Sequence, residues 1–202
     1  MLEWLVAHWT EIFGFTTGVA CVYLAARRRR LNFVFGVVSA AVFMVVFFEV
    51  ALYADMALQV VYIVLGVTGW IGWSRARADD TLVATVRTPT RSIPILVAAF
   101  VAITALLAVI LSTFTDSQTA IADAATTAGS LVAQFMLNRR WIESWFVWIA
   151  VDIAYIGLYI HKELYITAAL YLVFIAICVH GFLTWRRAPH EAAARESAAV
   201  HA

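Results

Sequence analysis

The chain has 202 residues, 64% of them apolar and 13% charged, with a formal net charge of +1 and a mean hydropathy of +0.88. Soluble domains carry about 45–50% apolar and about 25% charged residues, so a soluble globular domain is excluded, and the near-neutral charge excludes a basic nucleic-acid-binding surface. The two cysteines, Cys21 and Cys178, sit inside apolar runs, which excludes a disulfide scaffold.

The charges fall in short clusters between uncharged runs, each long enough to cross a hydrocarbon core of roughly 30 Å. Seven spans are predicted, at about 9–26, 31–51, 55–74, 93–114, 118–137, 141–160 and 164–185. In lipid the backbone must satisfy its own polar groups, so such runs are helices.

Span 1 follows Met1-Leu2-Glu3-Trp4 and has its basic residues on the far side. It is expected to be a retained helix rather than a cleaved signal peptide. Its Gly14 and Gly18 form a GxxxG pattern, a packing device. Span 3 sets Gln59, Tyr62, Gly66, Gly69 and Trp73 at spacings of +3, +4, +3 and +4, on one helical face. Gln59 and Tyr62 are candidate substrate contacts there, and the glycines allow close approach. The linker at 76–92, with a mixed-charge run from Arg75 to Asp80, reads as a solvated connector. Span 4, from Ile95 to Leu111, has one polar residue, Thr104, and offers nothing to an aqueous path.

Span 5 carries Asp123, Thr127, Ser130 and Gln134. Hydroxyls in membrane helices bond to their own backbone or to a neighbour, which leaves Gln134 as the candidate. Span 6 has the clearest signal: Trp141, Trp145, Trp148, Asp152, Tyr155 and Tyr159, spaced +4, +3, +4, +3 and +4. An intramembrane carboxylate is costly and marks a substrate or ion path. The structural alternatives are an Asp paired to another helix and aromatic belts. Belts account for Trp141 and Tyr159 at the span ends but not for Trp145, Trp148 and Tyr155 around the acid. In span 7, His180 is either a ligand contact or a satisfied structural histidine. Cys21 and Cys178 read as small apolar fillers, and 188–202 as an Ala-rich cytoplasmic tail.

The basic residues orient the chain. Arg27 to Arg30, then Arg75, Arg77, Arg87 and Arg91, then Arg139 and Arg140, then Arg186, Arg187 and Arg195 all follow odd-numbered spans, while Lys162 alone follows an even one. Positive charge concentrates in cytoplasmic loops, so the N-terminus is expected outside and the C-terminus in the cytoplasm.

The sequence also matches itself at an offset of 112: Arg27-Arg28 with Arg139-Arg140, Leu52-Tyr53 with Leu164-Tyr165, Gly69 with Gly181, Trp73 with Trp185 and Arg75 with Arg187. The expected architecture is therefore an all-α membrane protein of two parallel three-helix repeats joined by span 4. The first repeat is 1–75, the linker and connecting helix 76–117, the second repeat 118–187 and the tail 188–202. Parallel repeats of this kind occur in transporters, with the substrate near the midplane.

Several chemistries are set aside. The chain has no Walker-type glycine loop, HExxH or GxSxG motif, which disfavours a nucleotide-driven pump and an intramembrane hydrolase. Lys162, the one lysine, lies in a loop, which excludes a retinal Schiff base in the last span. No enzyme activity, metal or cofactor is expected.

Leu52-Tyr53-Ala54-Asp55, Leu58-Gln59-Val60-Val61-Tyr62, Gly66, Gly69-Trp70 and Trp73 resemble the first-repeat signature of the PnuC family of vitamin transporters, typified by nicotinamide riboside uptake. Glu143-Ser144-Trp145-Phe146-Val147-Trp148 with Asp152-Ile153, Leu164-Tyr165 and Leu170-Tyr171 resemble its second-repeat signature. The likeness covers about residues 9–187. It implies a SWEET-like 3+1+3 arrangement with its own connectivity, a homotrimer in the bacterial inner membrane, and facilitated diffusion serving NAD biosynthesis. It also implies trapping by a cytoplasmic kinase that need not touch the transporter. The chain departs from the pattern at Ser39, Gly66, Asp152 and His180, where nicotinamide riboside members carry asparagine. Ser39 and His180 therefore join the candidate substrate contacts.

The choice among vitamins then rests on local chemistry. Trp145, Trp148 and Tyr155 suit a flat cationic heterocycle, since desolvated cation–π contacts reach about 2 kcal/mol. Asp152 can offset a fixed positive charge or accept ribose hydrogen bonds. Gln59, Tyr62 and Gln134 can meet an amide or a sugar. Nicotinamide riboside is expected first, thiamine second and neutral riboflavin last. The expected mechanism is alternating access by rocking repeats around a midplane site lined by spans 2, 3, 5, 6 and 7. The alternatives are proton coupling through Asp152 and, in a different class, a non-transporting sensor or enzyme subunit.

Overall fold

The structure, a computed structural model, describes residues 9–49, 53–76, 83–114, 119–161, 163 and 165–200. Each predicted span is a helix: α1 Trp9–Ala26, α2 Leu31–Glu49, α3 Tyr53–Arg75, α4 Ile93–Phe114, α5 Ala120–Asn138, α6 Ser144–His161 and α7 Tyr165–Val200. Among the described residues, the remaining regular structure is a single 3-10 turn at Thr90–Ser92 and an isolated bridge between Val86 and Trp141. By length and composition, α2 to α7 can cross a membrane; the apolar part of α1, Ile12–Ala26, is shorter. Helix α7 runs past its predicted end into the tail because that segment, rich in alanine, favours helix.

The chain forms two compact units, Met1–Ala84 and Thr85–Ala202. In the first, α2 packs against both α1 and α3; in the second, α6 packs against both α5 and α7, and α4 lies along α5.

The turn after the first helix of each three-helix run is built the same way. Arg28 adopts φ 56° and Arg140, 112 residues later, φ 63°. The Arg28 N–H reaches the Ala25 carbonyl at 2.9 Å and the Arg29 N–H reaches Leu24 at 2.9 Å. In the second unit Arg140 reaches Leu137 at 2.8 Å and Trp141 reaches Met136 at 3.0 Å. These are the paired bonds of a Schellman cap, which satisfies the last carbonyls of a helix through one left-handed residue. The next bonds match too: Asn32 to Arg29 at 3.1 Å, and Ser144 to Trp141 at 3.1 Å. The duplication seen in the sequence is thus present in the backbone of each unit.

Two expectations are corrected here. Trp141 does not sit on the α6 face, because the left-handed residue at Arg140 breaks the helical period before α6 begins at Ser144. It is buried in the turn with Val132 and Met136. Nor is the linker a solvated connector throughout. Residues 77–82 lie outside the described residues, but Val86 is tied by backbone bonds of 3.0 Å to Arg140 and 3.0 Å to Ile142.

Candidate substrate site

The stripe on α6 faces α7. Trp145 is 1% exposed and stands edge-on to Trp185, with ring centroids 5.3 Å apart at 87°. Gly181 leaves room for it: a Cβ there would lie 2.6 Å from the Trp145 ring. Two turns further along α6, Asp152 is 5% exposed, and its Oδ2 accepts a bond from the Cys178 thiol at 3.7 Å. Beyond it Tyr155 and Tyr159 stack at 5.7 Å, and Tyr171 of α7 closes on both at 5.0 and 5.2 Å. The seam runs from an indole pair, through a buried acid, to three phenols.

The first unit contains the same seam without the acid. Phe33, the counterpart of Trp145, meets Trp73 edge-on at 5.1 Å and 89°. Phe43 and Phe47, the counterparts of Tyr155 and Tyr159, stack at 5.9 Å. Ala40 stands where Asp152 does and Gly66 where Cys178 does. A helix pair of this geometry therefore packs without a carboxylate, and burying one in the second unit is a cost that packing alone does not require.

The other predicted residues are distributed as follows. Trp148 and Tyr155 are half-buried on the Asp152 side of α6. Gln134, on α5, donates to Asn138 Oδ1 at 3.0 Å. His180 is exposed on α7, two residues from Cys178 and so off the seam, which does not bring it to Asp152. In the first unit, Ser39 Oγ accepts from Thr17 at 3.2 Å, joining α2 to α1, while Gln59 and Tyr62 are half-buried on α3. Trp145 is the most enclosed of the set, and its Nε1 is buried without a hydrogen-bond partner.

Tyr171 and Cys178 are the residues that sequence reasoning missed. The signal was available: the α3 stripe Gln59, Tyr62, Gly66, Gly69 and Trp73, shifted by 112, becomes Tyr171, Phe174, Cys178, Gly181 and Trp185. Cys178 is thus not merely an apolar filler, since its thiol faces the acid.

A separate cavity of about 610 Å³ lies among α4, α5 and α6, lined by groups such as Leu96, Phe100, Val132 and Val147. Its polar lining groups are already bonded. Thr126 bonds to Ala122 and Asp123 carbonyls, and Thr88 bonds to Glu143. None of the nine predicted contacts lines it, and it suits apolar matter rather than a hydrophilic vitamin. No group of three His, Cys, Asp or Glu side chains fit to hold a metal occurs among the described residues.

Residues 8–187 match the family model described as nicotinamide mononucleotide transporter. The chain belongs to that family. Curated relatives include the nicotinamide riboside transporter PnuC of Escherichia coli (strain K12), 22% identical over 212 residues that cover 93% of this chain and 89% of the relative. The nicotinamide riboside transporter PnuC of Neisseria mucosa is 25% identical over 191 residues, covering 89% of this chain and 72% of its own. Among solved structures, the crystal structure of the vitamin B3 transporter PnuC matches with a TM-score of 0.71 at 25% identity, covering 89% of this chain and 81% of that one. The PnuC resemblance in the two repeat signatures is thereby confirmed, and the chain is a multi-pass membrane transporter rather than an enzyme.

Proposed function

We propose that the chain imports nicotinamide riboside by facilitated diffusion through alternating access, with net uptake drawn by phosphorylation of the substrate in the cytoplasm. The observation that carries this reading is Asp152. It is a buried carboxyl group on an aromatic stripe, at a position where the other repeat has Ala40 and packs equally well. A fixed pyridinium cation supplies the charge that such a group lacks, and Trp148 and Tyr155 beside it offer faces for the ring. The relatives named as nicotinamide riboside transporters support the same substrate.

The proposed contacts are Asp152, Trp148, Tyr155 and Trp145 from α6, Gln134 from α5, His180 from α7, and Ser39, Gln59 and Tyr62 from the first repeat. The proposed architecture is 3+1+3, with repeats at 1–75 and 118–187 running in the same direction through the membrane, 76–117 joining them, and 188–202 as the tail. The repeated caps at Arg28 and Arg140 support it. The proposed setting is a homotrimer in the bacterial inner membrane, N-terminus outside and C-terminus in the cytoplasm. The arginine pattern supports that orientation. So does the gathering of the Arg87 segment, the Arg139-Arg140 turn and the Trp185 turn of α7, which Arg186 and Arg187 follow, at one end of the second unit.

The test is a binding and uptake screen of nicotinamide riboside, thiamine and riboflavin on purified protein in liposomes. Nicotinamide riboside is expected to equilibrate without accumulating. Tight riboflavin binding with no response to either cation would overturn the charge argument. The second reading is proton coupling, favoured by the thiol as the described polar contact of Asp152. Accumulation above the outside concentration, driven by a pH gradient, would establish it and displace simple facilitation.

A further inference from the structure

Between the first unit and α4, residues 85–88 cross the basic end of the second unit and are bonded to each element they pass. Thr85 Oγ1 donates to the Trp185 carbonyl of α7 at 3.0 Å. Val86 pairs with the α5–α6 turn through its N–H to Arg140 and its carbonyl from Ile142, both at 3.0 Å. Thr88 then donates twice to one oxygen of Glu143, from its N–H at 2.7 Å and its hydroxyl at 2.8 Å. Glu143 directly precedes α6. The 3-10 turn Thr90–Ser92 and α4 follow at once.

The last of these bonds differs in kind from the others. Two donors converge on one charged acceptor, and such bonds are stronger than neutral ones. The counterpart of Glu143 in the first repeat is Leu31, which is 50% exposed and has no acceptor. The shared turn does not need the acid, since the backbone cap at Arg28 forms without one. Glu143 is therefore an addition to the repeated design, placed where the strap can be fastened to α6.

The consequence reaches the aromatic seam. Trp185 is held by Thr85 through its carbonyl and by Trp145 through its ring, and Trp145 follows Glu143 by two residues. Fastening the strap at Glu143 ties the start of α6 to the Trp185 turn of α7 through these two tryptophans. We propose that Glu143 is a positioning residue for transport. It pins residues 85–88 across α5, α6 and α7, so that α4 to α7 move as one body and the Asp152 stripe keeps its shape through the cycle.

The test compares Glu143→Ala with Glu143→Gln, which keeps an acceptor oxygen for Thr88. Hydrogen exchange is measured at the Val86 and Ile142 amides, and nicotinamide riboside exchange is measured in liposomes. Glu143→Ala is expected to lose protection at both amides. Its maximal exchange rate should fall by about tenfold, the scale set by hydrogen bonds to a charged group, with KM and equilibrium Kd within about twofold of wild type. Glu143→Gln is expected to recover part of both readouts, since a neutral acceptor bonds about half as strongly. A merely structural role would change the yield of folded protein but not split rate from affinity. The proposal is overturned if Glu143→Ala keeps the wild-type rate with deprotected amides, or if Glu143→Gln behaves like Glu143→Ala. The rate arm rests on the nicotinamide riboside reading, whereas the exchange arm needs no substrate. Protection that persists in Glu143→Ala overturns the strap whatever the protein carries.

Discussion

Cys178 on α7 donates its thiol hydrogen to Oδ2 of Asp152 on α6 at 3.7 Å, inside a seam whose counterpart in the first repeat has Ala40 and Gly66 at these two positions. A thiol is a weak donor, so the acid is buried with a partner that only partly satisfies it. Such a group is ready to accept a better one. Removing the acid from the seam should therefore separate packing from transport. Asp152→Ala is expected to fold with wild-type yield, because the first unit packs with alanine there, and to lose uptake by at least about tenfold, the cost of one charged contact. Asp152→Asn keeps the shape and an acceptor but not the charge; it should lose less uptake than Asp152→Ala while leaving any riboflavin flux unchanged. Radiolabelled uptake into liposomes reads both. Wild-type uptake by Asp152→Ala would remove this residue from the mechanism.

The indole pair is expected to answer to size rather than polarity. Trp145 fills the space that Phe33 fills in the first unit, against tryptophans held in the same edge-on geometry. Trp145→Phe should therefore keep the seam, whereas Trp145→Ala leaves a cavity and costs about 3–5 kcal/mol. Thermal unfolding in detergent orders them. If Trp145 also stacks on substrate, Trp145→Phe will weaken binding at nearly unchanged stability, because phenylalanine attracts cations less than tryptophan does.

The seam also shows what a single sequence makes legible. The seven spans and the offset of 112 could be read directly, since lipid enforces helices and a duplicated chain keeps its landmarks at one spacing. Asp152 was visible because acids are rare at that depth. Tyr171 and Cys178 were hidden by type: a tyrosine near a span end looks like a belt residue and a cysteine like filler. Their importance comes from the facing helix, which periodicity on one helix does not contain. The strap at 85–88 was hidden for another reason. Its bonds join backbone and hydroxyl groups across distances of up to 100 residues, and nothing in a short polar linker announces where its donors go. Trp141 was misplaced because an arginine, not a glycine, occupies the left-handed position at 140.

Glycine positions give a paired test of close packing. A methyl group at Gly181 would meet three atoms of the buried Trp145 ring at 2.6 to 2.8 Å, while one at Gly157 would meet nothing within 4 Å. Gly181→Ala is expected to push α6 and α7 apart and to lower the melting temperature, with a cost of about 1–3 kcal/mol for overpacking. Gly157→Ala should be neutral or stabilising by about 0.5–1 kcal/mol, because alanine loses less backbone freedom in a helix interior. Equal effects from the two substitutions would mean that the α6–α7 contact is looser than the distances indicate.

The left-handed arginines predict a stability change of unusual sign. At φ 63° the Arg140 side chain crowds its own backbone, and an L-residue in this region is disfavoured by roughly 1–2 kcal/mol where glycine is not. Arg140→Gly removes that strain but loosens the unfolded chain by about 0.4–1 kcal/mol. The net effect on unfolding should lie between neutral and slightly stabilising. Arg140→Val keeps a side chain and adds a branch at Cβ, which the left-handed region tolerates least. It should therefore unfold at a clearly lower temperature than either. The cap also fixes the register of Trp141 and, through it, of Val86, so Arg140→Val is expected to deprotect the Val86 amide while Arg140→Gly leaves it protected. An Arg140→Gly protein less stable than Arg140→Val would mean that the guanidinium, rather than the backbone, is what the turn depends on.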